Sequence, residues 1–280
     1  MRQGSASSLI APDTLAVRRR GGERATPEGT AFVLDEVAVM PGGRPYGSTP
    51  LASSWAPQKE GAPRIPLLCH AGPAAMATAS ERGVGPEDVA TPFGGRRAQA
   101  LDADGWQAVV TAFGAAAEQC VSAGASAVVI NAEADSLLGA VLSPRYAPGW
   151  TDARRFELLT TVLERVRQVV ERVGLLLVVE ECAPAGLDAS GGVRAAQVAV
   201  EAGADWLIAS SRSAWFEMRG AELGVLQDLA SAAWLPSRVS VPVLVQVPAR
   251  AARADLANVV ARAKASGIDG VVLVEEEPGA

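Results

Sequence analysis

The chain has 280 residues, 49% of them apolar and 20% charged, which suits a packed core and excludes wholesale disorder. A net charge of −6 argues against a nucleic-acid surface. No apolar run reaches the ~20 residues of a membrane span. Three cysteines without metal-type spacing, and no apolar signal core near the N-terminus, fit a reduced cytoplasmic protein.

Residues 1–29, rich in Gly, Ser, Arg and Pro, read as an irregular segment, with Arg18-Arg19-Arg20 as a solvated turn. From residue 30 a βα rhythm sets in and continues as a single domain over 30–280. Phe32 to Val39 reads as a strand closed by Pro41-Gly42-Gly43, and Ile65 to Cys69 as a second that ends at His70-Ala71-Gly72. Residues 73–100 read as a long loop, of the kind that gathers at the C-terminal face of a barrel. Asp102 is a suitable N-cap for a helix to Ser122, stopped by Gly124. A strand at 126–130 and a helix from Asp152 to about Val173, ended by Gly174, come next. Strands at Leu175–Val179, Trp206–Ala209, Val241–Val247 and Val271–Val274 then alternate with helices at Val193–Ala202, Ala221–Trp234 and Arg253–Ser266. Seven strands with long crossovers favour a TIM-type (β/α)8 parallel barrel over an open sheet, and no Gly-x-Gly-x-x-Gly turn argues for a Rossmann domain.

The stretch from 125 to 156 is the most informative. The apolar run Ala127-Val128-Val129-Ile130 empties into Asn131, Glu133 and Asp135. Leu137-Leu138-Gly139-Ala140-Val141-Leu142-Ser143-Pro144, Thr151-Asp152 and Arg154-Arg155-Phe156 follow. This order resembles the old yellow enzyme family of FMN-dependent NADH:flavin oxidoreductases. There the fourth strand runs into a His-x-x-His/Asn-x-Tyr cluster, a Leu-Leu…Ser-Pro run, a Thr-Asp and an Arg-Phe helix. Leu34-Asp35-Glu36…Val39-Met40-Pro41-Gly42-Gly43-Arg44 and His70-Ala71-Gly72 resemble further pieces of that family, as does Leu101-Asp102-Ala103-Asp104 before Ala123-Gly124.

The resemblance implies a barrel that binds FMN and passes hydride from NAD(P)H to an activated C=C bond of a small-molecule substrate. It places Glu36, Leu67, Arg212 and Gln246 on the cofactor side. The residues depart from the family at its contacts. Asn131, Ala134 and Ser136 stand where the family has two substrate-binding side chains and a proton-donating tyrosine. Leu67 replaces the glutamine that faces the ring, Pro73 the arginine after His-Ala-Gly, and Val179 or Glu180 the ring-side arginine. Gln246-Val247 and Val274-Glu275 replace the Gly-Gly and Gly-Arg turns at the phosphate, where backbone N–H groups and a guanidinium are needed. FMN-mediated transfer is therefore expected to be impaired or repurposed.

Two alternatives follow from the residues. One is flavin-independent acid–base chemistry by His70, Glu133, Asp135 and Glu180, since carboxylates on adjacent strand ends push their pKa values apart. For each of them a bland role competes, His70 packed beneath its loop and the carboxylates solvated, as the Glu275-Glu276-Glu277 tail also reads. The other is a catalytically silent barrel acting as a partner subunit. Cys182, after the anionic Glu181, makes a poor nucleophile. Trp215-Phe216 reads as packing or as a pocket wall, and no residues are spaced for a metal.

The family's first strand and flanking helices have no clear counterparts, which suggests a barrel truncated at both ends. Leu15 and Val17 alternate as a short strand would. Otherwise the ring is open between strands eight and two, and two edges need cover. Residues 20–30 hold no crossover helix, which favours a partner subunit or a homo-oligomer as that cover.

Overall fold

The computed structural model describes residues 10–11, 14–19, 29–45, 49–57, 61–75, 83–89, 97–134, 136–211, 221–252 and 255–275. Eight parallel strands close into a ring: β1 (Thr14–Arg19), β2 (Phe32–Ala38), β3 (Arg64–Cys69), β6 (Val128–Ala132), β7 (Val173–Val178), β8 (Trp206–Ser210), β9 (Val243–Pro248) and β10 (Gly270–Glu275). Between β3 and β6, inside the expected long loop, β4 (Val84–Gly85) and β5 (Gln99–Ala100) form a small parallel pair. The outer layer consists of α1 (Ala103–Ser122), α2 (Leu137–Leu142), α3 (Asp152–Arg167), α4 (Ala189–Glu201), α5 (Ala221–Ala232), α6 (Ala249–Ala252) and α7 (Leu256–Ala265).

The expected open arc is corrected here. Thr14–Arg19, placed by sequence in an irregular segment, pairs with β10 from Thr14↔Gly270 to Arg19↔Glu275 and with β2 from Ala16↔Phe32 to Arg19↔Asp35. The link of residues 20–31 meets the length of about a dozen residues that a parallel connection requires. A closed ring pairs its own backbone, so the argument that a partner must cover a sheet edge falls away.

Alternation along the strands separates two cores. Phe32, Leu34, Leu67, Val129, Ile208 and Leu244 belong to the cluster that fills the barrel lumen. Val17, Val37, Leu68, Ile130, Leu175 and Val245 face outward, against the helices. Side chains of Asp102, Ser136, Thr151, Asp188 and Asp255 cap their helices by accepting from backbone N–H groups. Gly124, Gly203 and Gly267 close α1, α4 and α7 in the left-handed region, at φ 107°, 100° and 76°. Gly174 has a different task from the expected helix stop: it lies in β7, where a side chain would run into the indole of Trp206. Among the described residues no helix is long and apolar enough to cross a membrane.

Candidate functional site

On five strands the lumen-facing alternation carries a polar residue one step beyond an apolar one: Arg18 after Ala16, Glu36 after Leu34, Asn131 after Val129, Ser210 after Ile208 and Gln246 after Leu244. The strands are parallel, so these residues gather at the C-terminal mouth, where such barrels build their sites.

Arg18 is the centre. Its guanidinium is 2% exposed and spans the mouth, donating to Glu36 through Nε at 2.9 Å and Nη2 at 2.5 Å. Nη1 donates to Glu133 at 2.5 Å and to the Gln246 amide oxygen at 2.9 Å. The Gln246 amide nitrogen donates to the second Glu133 oxygen, which also accepts from Ser210 Oγ at 3.2 Å. One cation thus bridges two buried carboxylates, and a fixed guanidinium is the group suited to that fork.

The bend that aims Glu133 inward is built locally. Asn131 Oδ1 accepts from Glu133 N at 2.9 Å, while its Nδ2 reaches Cys69 Sγ at 3.4 Å. Ser136 Oγ donates to the Glu133 carbonyl at 2.7 Å and accepts from Gly139 N at 3.0 Å, starting α2. A side chain at Gly139 would strike the Glu133 carbonyl, so glycine is required for that close approach.

The structure separates the residues proposed from sequence for acid–base work. Glu133 points into the lumen, whereas Glu180 turns outward to α5. There it accepts from Ser231 Oγ at 3.0 Å and Gln227 Nε2 at 3.4 Å. The expected pairing of Glu133 with Glu180 is therefore absent, because the two lie on opposite sides of the strand layer. His70 is 2% exposed, with its ring packed on Gly43. Nδ1 accepts from Gly72 N at 3.0 Å, and the carbonyl accepts from Leu137 N at 2.6 Å. Burial lowers its pKa from 6.5 to about 4, opposed in smaller part by backbone hydrogen bonding, so the ring is neutral at pH 7. Asp135, Arg212, Trp215 and Phe216 lie outside the described residues.

Two groups were misread from sequence. Arg18 and Arg19 are buried on β1 rather than in a solvated turn, and Glu275 is buried at the end of β10, with Arg19 Nε 3.9 Å from its carboxylate. The signal for Arg18 was its parity with Ala16, which puts a long cation in the lumen facing the acid of β2. Glu181 is buried as well. It accepts from Ser143 Oγ at 2.5 Å and Leu187 N at 2.7 Å, tying together the loops after α2 and β7. Desolvation raises its pKa, opposed by those two bonds and by Arg145.

The FMN implied by the resemblance can be tested against these residues. A phosphate seat needs convergent backbone N–H groups. β9 instead passes at Pro248-Ala249 straight into α6 without a glycine turn, and Pro248 has no N–H to give. Gln246, expected on the cofactor side, is fully buried and bonded to Arg18 and Glu133. Glu36 is held by Arg18, and Leu67 is a lumen hydrophobe. Glu275, which the resemblance puts at the phosphate, is a buried carboxylate with Arg19 Nε 3.9 Å away. The described residues do not fit the group. They form no cluster of three or more His, Cys, Asp or Glu side chains able to hold a metal.

Fold and site define a parallel (β/α)8 barrel whose C-terminal mouth holds its own ion cluster. No protein-family model matches the chain, and no curated protein matches its sequence. Solved structures do. Morphinone reductase in complex with tetrahydroNAD aligns at TM-score 0.67 and 17% identity over 88% of this chain and 74% of that one. The old yellow enzyme from Trypanosoma cruzi aligns at 0.67 and 16%, over 88% and 75%. A 2-naphthoyl-CoA reductase in complex with 2-naphthoyl-CoA aligns at 0.72 and 18%, over 88% of this chain and 42% of that one. At these identities the likeness is one of fold, and it matches the resemblance drawn from the sequence.

Proposed function

We propose that this chain is an old-yellow-enzyme-like oxidoreductase barrel in which FMN-mediated hydride transfer has been lost, leaving a catalytically silent barrel subunit. The observation that carries the reading is Arg18. Its guanidinium, with Glu36, Glu133, Gln246 and Ser210, occupies the mouth from which a flavin barrel would work. Emptying that space for a ring would leave two carboxylates buried without their cation, at a cost of about 3–5 kcal/mol. The acid–base alternative has less support, because Glu180 faces α5 and His70 is held neutral beneath its loop.

The test is titration of the purified protein with FMN, followed by flavin fluorescence and gel filtration. The expected result is a colourless protein that carries no flavin through the column. Stoichiometric FMN co-eluting with the chain, together with NADH oxidation, would overturn the proposal.

A further inference from the structure

The loop after β7, from Glu181 to Leu187, is wound around the carboxylate of its own first residue. Glu181 N donates to the Leu187 carbonyl at 2.8 Å and closes the stem, and Leu187 N returns to Glu181 Oε2 at 2.7 Å. The same oxygen accepts from Ser143 Oγ, on the loop after α2, at 2.5 Å. Both flanks are fixed: Val179 N donates to the Ser210 carbonyl at 2.8 Å, and Asp188 caps α4. Between them Gly186 N donates to the Ala183 carbonyl at 3.0 Å, so Ala183-Pro184-Ala185-Gly186 is a β-turn with proline second. Ala185, third in that turn, has φ 56°, and among the described residues it is the one non-glycine residue with a positive φ. A turn of this kind asks for glycine there, because a Cβ crowds the backbone in the left-handed region. The glycine stands one place later instead, where a Cβ on Gly186 would lie 2.7 Å from Glu181 Cβ and 2.9 Å from Oε2. It makes room for the carboxylate and leaves the turn strained.

We propose that residues 182–186 are a strained flap at the barrel mouth, held shut by the Ser143–Glu181 hydrogen bond and opening when that latch lets go. Strain of this kind persists only where neighbouring contacts enforce it. Here the enforcing contacts converge on one atom, Glu181 Oε2, so losing one of them releases the turn as a unit. The residues that move carry little core: Pro184 and Ala185 are exposed, and Cys182, Ala183 and Gly186 are half-buried. The flap rises from β7, between β6 and β8, the strands that lead to Glu133 and Ser210. Opening therefore admits water to that side of the Arg18 cluster. This inference does not rest on the loss of flavin.

Cys182 is a built-in reporter, since Cys69 and Cys120 are buried. The test is labelling of the native chain with an aromatic disulfide reagent, read site by site by mass spectrometry, beside amide hydrogen exchange at Gly186 and Leu187. In wild type Cys182 should label far faster than Cys120, at a rate nearly independent of urea below the unfolding transition, as befits an opening that exposes little surface. Ser143→Ala removes the latch and should speed both Cys182 labelling and the exchange about tenfold. Ala185→Gly relieves the turn in its closed form and should slow both about threefold to fivefold. Cys182 labelling that tracks Cys120 through the urea series, or rates that either substitution leaves unmoved, overturns the proposal.

Discussion

Acid should weaken this protein through one identifiable ring. His70 is the sole histidine of the chain, so its titration can be followed without assignment. Folded, its pKa falls to about 4, chiefly because burial penalises the charged ring; unfolded, it returns to the ordinary 6.5. Protonation would also place a second N–H against the Gly72 N–H that Nδ1 now accepts. Above pH 6.5 both states are neutral and the full stability is present. Below it the unfolded chain takes up the proton first, so stability is lost as pH falls from about 6.5 to about 4. The loss over that window is about 3 kcal/mol, at about 1.4 kcal/mol for each pKa unit. Urea denaturation at a series of pH values, for wild type and His70→Gln, isolates this contribution, because the carboxylates titrate in both. Wild type should lose more stability than the variant between pH 7 and 4, and the imidazole proton resonances should titrate near 4. A midpoint near 6.5, with parallel pH profiles for the two proteins, would refute the burial argument.

Two further outcomes follow. Arg18→Met leaves Glu36 and Glu133 facing each other without a cation and should cost about 3–5 kcal/mol by denaturant titration, with most of the loss recovered in Arg18→Met/Glu36→Gln/Glu133→Gln; a loss under about 1 kcal/mol would mean the cluster is solvated. Glu181, whose folded pKa is raised by burial, contributes stability that is present below its unfolded value and lost as pH rises through the folded one. Glu181→Gln keeps an acceptor for Ser143 and Leu187, so it should melt higher than wild type at pH 7.5 and lose that advantage near pH 4.

The barrel was largely legible, because βα rhythm, N-caps and glycine stops are local signals. The capping residue Asp102 and the stop at Gly124 lie where the pattern put them. The first strand was harder, since Thr14–Arg19 ends in two arginines and its partners are β2 and the distant β10. Gly174 read as a helix stop because its real reason, the indole of Trp206, lies on the neighbouring strand. Glu133, Glu36 and Gln246 were picked out singly, but their meeting depends on Arg18, whose burial only the closed ring creates. Glu180 and Glu181 are adjacent in sequence yet face α5 and Ser143 respectively, which a strand-end position alone does not settle.

The strand that closes the ring also supplies its central charge, and this couples events far apart in time. β1 leaves the ribosome first and its neighbour β10 last among the barrel strands, so the ring cannot shut until β10 has been made. Until then Arg18 has no enclosed mouth to bridge, and Glu36 and Glu133 keep their water. Closure and ion pairing arrive together, so a nascent chain interrupted before residue 270 holds an unsealed sheet and two carboxylates on the way to burial. Quality control during synthesis would therefore meet this protein as an open, acid-lined trough.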